Sequence, residues 1–165
     1  PRARIAATFF GAGTFPFAPG TFGSMAALPF GVLMLQIPAP FGRLVLLAAA
    51  CGALALGVWA SKRYAEAAGR TDPGEIVIDE VAGQWLALIF ATADNPWHFL
   101  AAFVLFRFFD ITKIWPANWA QDHLPHGWGV MMDDIVAGLY AAALLYAGIW
   151  AVEIPYVARL LRGLG

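Results

Sequence analysis

Five of the chain's eleven acidic residues stand directly against apolar stretches, as Asp79-Glu80, Asp110 and Asp133-Asp134. A charge at the centre of a spanning helix costs about 2.5–3.5 kcal/mol, and neighbouring carboxylates also repel one another. A bound cation relieves both costs. Carboxylate oxygens without a Cys or His framework suit a hard ion, and Mg²⁺ is usually held by one or two carboxylates together with water and substrate phosphate. Asp79, Glu80, Asp110, Asp133 and Asp134 are therefore candidate ligands for Mg²⁺. The plainer explanation is that acids at a helix start complement the macrodipole, which suffices for Asp79-Glu80 before Val81 or for Asp133-Asp134 before Ile135 taken singly. Asp79-Glu80-Val81-Ala82-Gly83 also echoes Asp134-Ile135-Val136-Ala137-Gly138, each with an acid one helical turn before a Gly. Residues four apart share a helix face, so each Gly would admit a neighbouring backbone beside its acid. In so apolar a composition, chance produces a five-residue match about as readily.

Basic residues accompany the acids. Arg107, Asp110 and Lys113 recur at three-residue steps and occupy one broad side of a helix expected to end near Pro116. They read either as a membrane-edge ladder of ion pairs with snorkelling bases, or as Asp110 on a metal with Arg107 and Lys113 hydrogen-bonding to phosphate oxygens. The second reading accounts for more of the pattern. Pro19-Gly20-Thr21-Phe22-Gly23-Ser24 precedes an apolar run, and a Gly-rich helix start can cradle an anion, with Thr21 and Ser24 as substrate-binding candidates; a turn or cap explains the same residues.

The nucleophile is marked only by elimination. Cys51 lies mid-run without a phosphate-binding loop, no Asp-x-Asp motif occurs, and no His stands against an Arg-rich cradle. Water activated by a metal remains, with Glu80, Asp79 and Asp110 as the candidate catalytic set and Glu80 as the general base. His123 and His126 form a His-x-x-His pair, but Pro125 between them argues against a shared helical zinc face.

The elements that must position these groups are membrane helices. The chain has 165 residues, 61% apolar and 13% charged, against roughly 45–50% and about 25% for soluble domains. Net charge is −1, with no basic stripe for nucleic acid. A span needs about 20 apolar residues. Leu44 to Ala60 and Ile135 to Val152 qualify without a charge, Ser24 to Ile37 reads as a short run bent at Pro29, and Val81 to Ala93 and Trp97 to Phe109 flank the turn Asp94-Asn95-Pro96. With the N-terminus cytoplasmic and all five runs crossing, seven Lys and Arg fall inside and three outside, as the positive-inside rule requires. The acidic and basic clusters then share one face. The tail Glu153 to Gly165, with Arg159 and Arg162, falls outside in this threading or lies flat in the interface. The fold expected is an all-α, multi-span membrane helical bundle of about four to five membrane helices over a single domain, 1–165.

Four blocks in order resemble the phosphatidylglycerophosphatase A family between about Gly11 and Gly138: Pro19 to Ser24, Asp72-Pro73-Gly74-Glu75-Ile76-Val77-Ile78-Asp79-Glu80, Arg107 to Lys113, and Gly127-Trp128-Gly129-Val130-Met131-Met132-Asp133-Asp134. Where the family often has Pro after the Lys, this chain has Ile114, with Pro116 retained. The resemblance implies a Mg²⁺-dependent hydrolase of the bacterial inner membrane. Its substrate would be phosphatidylglycerophosphate, its product phosphatidylglycerol, and its site would face the cytoplasm. Oligomeric state is not implied. A divalent-cation transporter is the competing class, since intramembrane acids also mark ion paths.

Overall fold

A computed structural model describes residues 2–70 and 73–162, so Asp72 of the second block lies outside the described residues. Within them every regular element is helical: α1 (Arg2–Ala7), a 3₁₀ turn (Ala12–Thr14), α2 (Pro19–Leu35), α3 (Phe41–Ala68), α4 (Ile78–Ala87), α5 (Pro96–Thr112), α6 (Ala117–His123) and α7 (His126–Arg162). The five apolar runs fall on α2, α3, α4, α5 and α7. Two stretches, α3 and Gly127–Tyr156 of α7, are long and apolar enough to cross a membrane, with mean hydropathies of 2.1 and 2.0.

Helix boundaries depart from the sequence expectation for identifiable reasons. Helix α2 begins at Pro19 rather than near Ser24, because Pro fits the first helical position, where its missing N–H is no loss. It continues through Pro29 to Leu35. Helix α5 starts on Asn95, whose side chain accepts from Trp97 N at 3.1 Å. It stops at Thr112, four residues before Pro116, where Lys113 turns left-handed at φ 45°. Helix α7 begins at His126, well ahead of Asp133. Gly127 and Gly129 read as helix breakers, yet they are contact points: a Cβ on Gly127 would run into the Val58 carbonyl, and one on Gly129 would lie 2.9 Å from the Gln121 carbonyl. The tail does not part from α7, which runs through Pro155 to Arg162.

The short helix α4 is the centre, packed against α2, α3, α5 and α7. Val77 N donates to Ala7 O at 2.9 Å and ties α1 to its start. Trp85 Nε1 donates to Ala27 O at 2.9 Å and ties it to α2. Small residues along α2 make this approach possible, since a Cβ on Gly23 would sit 2.6 Å from Val77 Cβ and one on Gly31 2.5 Å from Leu88 Cδ1. Against α7 the approach is closer. A Cβ on Gly83 would lie 2.6 Å from the Asp134 carbonyl oxygen, and one on Gly138 would strike the Gly83 carbonyl. Around this core, Phe10, Phe17, Leu33, Phe41, Leu44, Trp97, Leu139 and Val152 are exposed, far more apolar surface than a water-facing monomer carries.

Gly83→Ala must push α4 and α7 apart, and overpacking of this kind costs about 1–3 kcal/mol. Thermal unfolding in detergent is expected to show a lower midpoint for Gly83→Ala and little change for Gly52→Ala, whose added methyl meets nothing.

Candidate active site

The acids stand on three elements. Asp79 and Glu80 occupy the first turn of α4, where the macrodipole favours them. Asp133 and Asp134 are the eighth and ninth residues of α7. The dipole effect fades within the first turn, so a helix start explains the first pair and fails for the second. Asp110 comes from the last turn of α5.

The close Gly83/Gly138 crossing sets α4 and α7 running the same way, with an acid one turn before each glycine. Consequently Asp79, Glu80 and Asp134 present carboxylate oxygens that all lie within 4.8 Å of one another. All five acids, with Arg107 and Lys113, line one cleft of about 350 Å³. Asp79, Asp133 and Asp134 are buried at 8%, 4% and 3% exposure, too little water to screen their mutual repulsion.

The five carboxylates divide by partner. Asp110 Oδ2 pairs with Arg107 Nη1 at 2.5 Å, and Asp133 Oδ2 pairs with Lys113 Nζ. Asp133 Oδ1 accepts from Asp134 N at 3.0 Å, which engages both its oxygens. Glu80 Oε1 stands 3.8 Å from the already paired Arg107, and its Oε2 is buried without a hydrogen-bond partner. Asp79 and Asp134 form no ion pair with a described residue. Buried polar atoms in proteins are nearly always satisfied, so the orphaned Glu80 oxygen beside two unpaired carboxylates fits an all-oxygen cation site. Counting charges, five acids against two bases leave the cleft three negative charges in excess when all are ionised.

Helix α2 contributes differently from expectation. Ala18, Pro19 and Gly20 line the cleft, but Thr21 and Ser24 lie inside the helix rather than ahead of it. Ser24 is fully buried. Its Oγ donates to Gly20 O at 2.9 Å and accepts from Arg107 Nη1 at 3.4 Å, so it holds the guanidinium in place. Thr21 is not among the lining residues. Gly20 serves by having no side chain, since a Cβ there would overlap Glu80 Oε1 and come 3.3 Å from Arg107 Nη1.

His123 stays out of the cleft, stacked on Trp119 with Nδ1 2.9 Å from the Trp119 carbonyl; the His126 side chain lies outside the described residues. Two polar residues escaped the sequence reading. Gln84 is fully buried with neither amide atom partnered, and its place one turn after Glu80 was the available signal. Gln121 lines the cleft from α6; nothing in its neighbourhood marks it.

With every regular element of its described residues helical, and an acid-rich cleft rimmed by Arg and Lys beside the N-terminal part of its longest helix, the protein is an all-α bundle with one strongly charged cleft in an apolar surround. The chain belongs to the phosphatidylglycerophosphatase A family, whose sequence model matches residues 5–149. It is 41% identical over 143 residues to phosphatidylglycerophosphatase A of Escherichia coli (strain K12), covering 86% of this chain and 80% of that one. It is 36% identical over 144 residues to the protein of that name from Haemophilus influenzae, covering 87% and 86%. A Bacteroides thetaiotaomicron protein provisionally named a phosphatidylinositol-3-phosphatase is 37% identical over 150 residues, covering 88% and 92%. No solved structure matches the chain.

Lys113→Met leaves Asp133 buried without its cation. Stranding one partner of a buried pair costs about 3–5 kcal/mol, and the lower end applies because Lys113 keeps a third of its side chain exposed. Chemical denaturation is expected to show this loss, and the double variant Lys113→Met/Asp133→Asn to recover part of it.

Proposed function

We propose that this chain hydrolyses the terminal phosphate monoester of phosphatidylglycerophosphate, giving phosphatidylglycerol and inorganic phosphate, and that it requires Mg²⁺. The observation that carries the reading is the cluster of Asp79, Glu80 and Asp134 in one cleft with Arg107 and Lys113, in a chain of this family. With its excess negative charge the cleft repels a phosphate unless a cation enters first, so the ion is needed for substrate binding as well as chemistry.

Asp79, Glu80 and Asp134 would hold the ion, with Asp110 a further acid of the same cleft. Asp133 holds Lys113 instead. When bound, Mg²⁺ offsets charge on the phosphoryl oxygens and makes water a better nucleophile near neutral pH. Arg107, fixed by Asp110 and Ser24, and Lys113, fixed by Asp133, donate charge-assisted hydrogen bonds to the phosphate. The unpaired N–H groups of Gly20 and Thr21 at the start of α2 add a favourable dipole. Glu80 takes the proton of the attacking water. The P–O bond to the lipid then breaks, and the lipid oxygen leaves as a hydroxyl after taking up a proton.

The same reading sets α2, α3, α4, α5 and α7 in the inner membrane with the cleft at the cytoplasmic side. Trp128 and Trp150 of α7 are both exposed and stand 22 residues apart, about 33 Å along a helix. That matches a hydrocarbon core of about 30 Å edged by aromatic belts. Asp133 and Asp134 then lie about 8 Å inside the Trp128 level, below the head groups, so the lipid phosphate enters the cleft to reach them. Helix α4 is too short to cross unaided, and its neighbours shield it from lipid, the condition under which short helices are tolerated at membrane depth. A transporter needs acids that open to both faces in turn, and these five share one cleft.

Purified protein in detergent is expected to release phosphate from phosphatidylglycerophosphate, to stop on EDTA addition and to recover with excess Mg²⁺. Asp79→Asn and Asp134→Asn are each expected to lower kcat on the order of a hundred-fold. Normal turnover in both variants would remove the proposed site.

A further inference from the structure

The charged residues of the cleft account for a phosphate and a cation but leave the rest of the head group unread. Of the described side chains lining the cleft, Gln121 is the only uncharged one able to hydrogen-bond; Ile76, Ile111 and Val130 supply the apolar wall. Unlike Ser24, Arg107 and Lys113, it takes no part in the hydrogen bonds that knit the cleft together. Its backbone is held firmly, because α6 is pressed so closely on α7 that a Cβ at Gly129 would lie 2.9 Å from the Gln121 carbonyl. A neutral amide on a fixed backbone, facing a charged cleft, suits a ligand group that is itself neutral and both donates and accepts.

We infer that Gln121 binds the free hydroxyl of the head-group glycerol, beside the phosphate that is removed, and so sets preference for a hydroxylated head group. The inference rests on the phosphatase reading above. An amide offers both N–H donors and a carbonyl acceptor, so it can satisfy a hydroxyl in either sense. An analogue without the hydroxyl leaves that amide facing the bound lipid without its partner, and sites built to bond a hydroxyl discriminate on this ground. The Asp and Glu side chains of the cleft are committed to cation and bases, so none of them is free for this task.

The test compares kcat/KM on phosphatidylglycerophosphate and on its deoxy analogue, in which propanediol replaces the head-group glycerol. The wild-type protein is expected to favour the hydroxylated lipid about three- to ten-fold, the worth of one hydrogen bond, chiefly through KM. Gln121→Met, close to Gln in shape, is expected to lose that preference by slowing on the hydroxylated lipid alone. Unchanged turnover of the deoxy lipid shows that the variant is folded. Gln121→Leu is expected to behave the same way. If wild type shows no preference, or if Gln121→Met keeps it, Gln121 is a solvated helix residue and the inference fails. Wild-type protein inactive on both lipids would instead reject the phosphatase reading itself.

Discussion

Where α4 and α7 cross, Gly83 and Gly138 leave two helix backbones in contact, and the acids one turn away are carried together with them. Two carboxylates about 4 Å apart repel by about 4 kcal/mol at an effective dielectric near 20, and here three lie within 4.8 Å. Packing energy from the helix crossing is thus spent on holding like charges in a place that water barely reaches. A cation bound there would convert the largest local repulsion into attraction, which is why the proposed function places one at these three acids. The small-residue face of α2 completes the arrangement. By having no side chain, Gly20 lets Glu80 and Arg107 reach the same side of the cluster, and Ser24 then fixes the guanidinium.

The remaining two acids show how the fold keeps the cleft from being merely acidic. Asp110 and Asp133 each pair with a base, the first within one helix and the second across two. Arg107 and Asp110 are one turn apart on α5. Lys113, at the left-handed end of that helix, reaches across to α7. The bases therefore sit fixed beside the Asp79, Glu80 and Asp134 cluster, so charges of both signs line one cleft.

Much of this could be read from residues alone, for reasons particular to greasy chains. Apolar runs have few alternatives to helix, so five of them located α2, α3, α4, α5 and α7. Acids are costly beside such runs, so Asp79, Glu80, Asp110, Asp133 and Asp134 stood out. Even the Asp-to-Gly echo pointed to the crossing that the fold uses. Helix starts were harder to read, because Gly127 and Gly129 look like breakers and Pro19 like a loop residue until a neighbouring backbone is seen against them. Spacing within α5 could suggest the Arg107–Asp110 pair, but the Lys113–Asp133 pair and the gathering of Asp79, Glu80 and Asp134 depend on side chains from separate helices, about which spacing within one helix carries no information. Thr21 and Ser24 were read as a phosphate cradle; in the fold Ser24 instead supports Arg107, and Gly20 between the motif's ends is the residue at the wall. Gln121 had no signal at all, since a polar residue on a short helix is ordinary.

Whether Asp79, Glu80 and Asp134 together form one divalent-cation site can be seen directly. Mn²⁺ substituted for Mg²⁺ in crystals of the lipid-embedded protein gives an anomalous signal that locates the ion directly. The expected result is a peak in contact with carboxylate oxygens of all three residues, absent from crystals of Asp134→Asn. A cleft that stays empty at saturating Mn²⁺, or an ion bound elsewhere such as at His123, would contradict it.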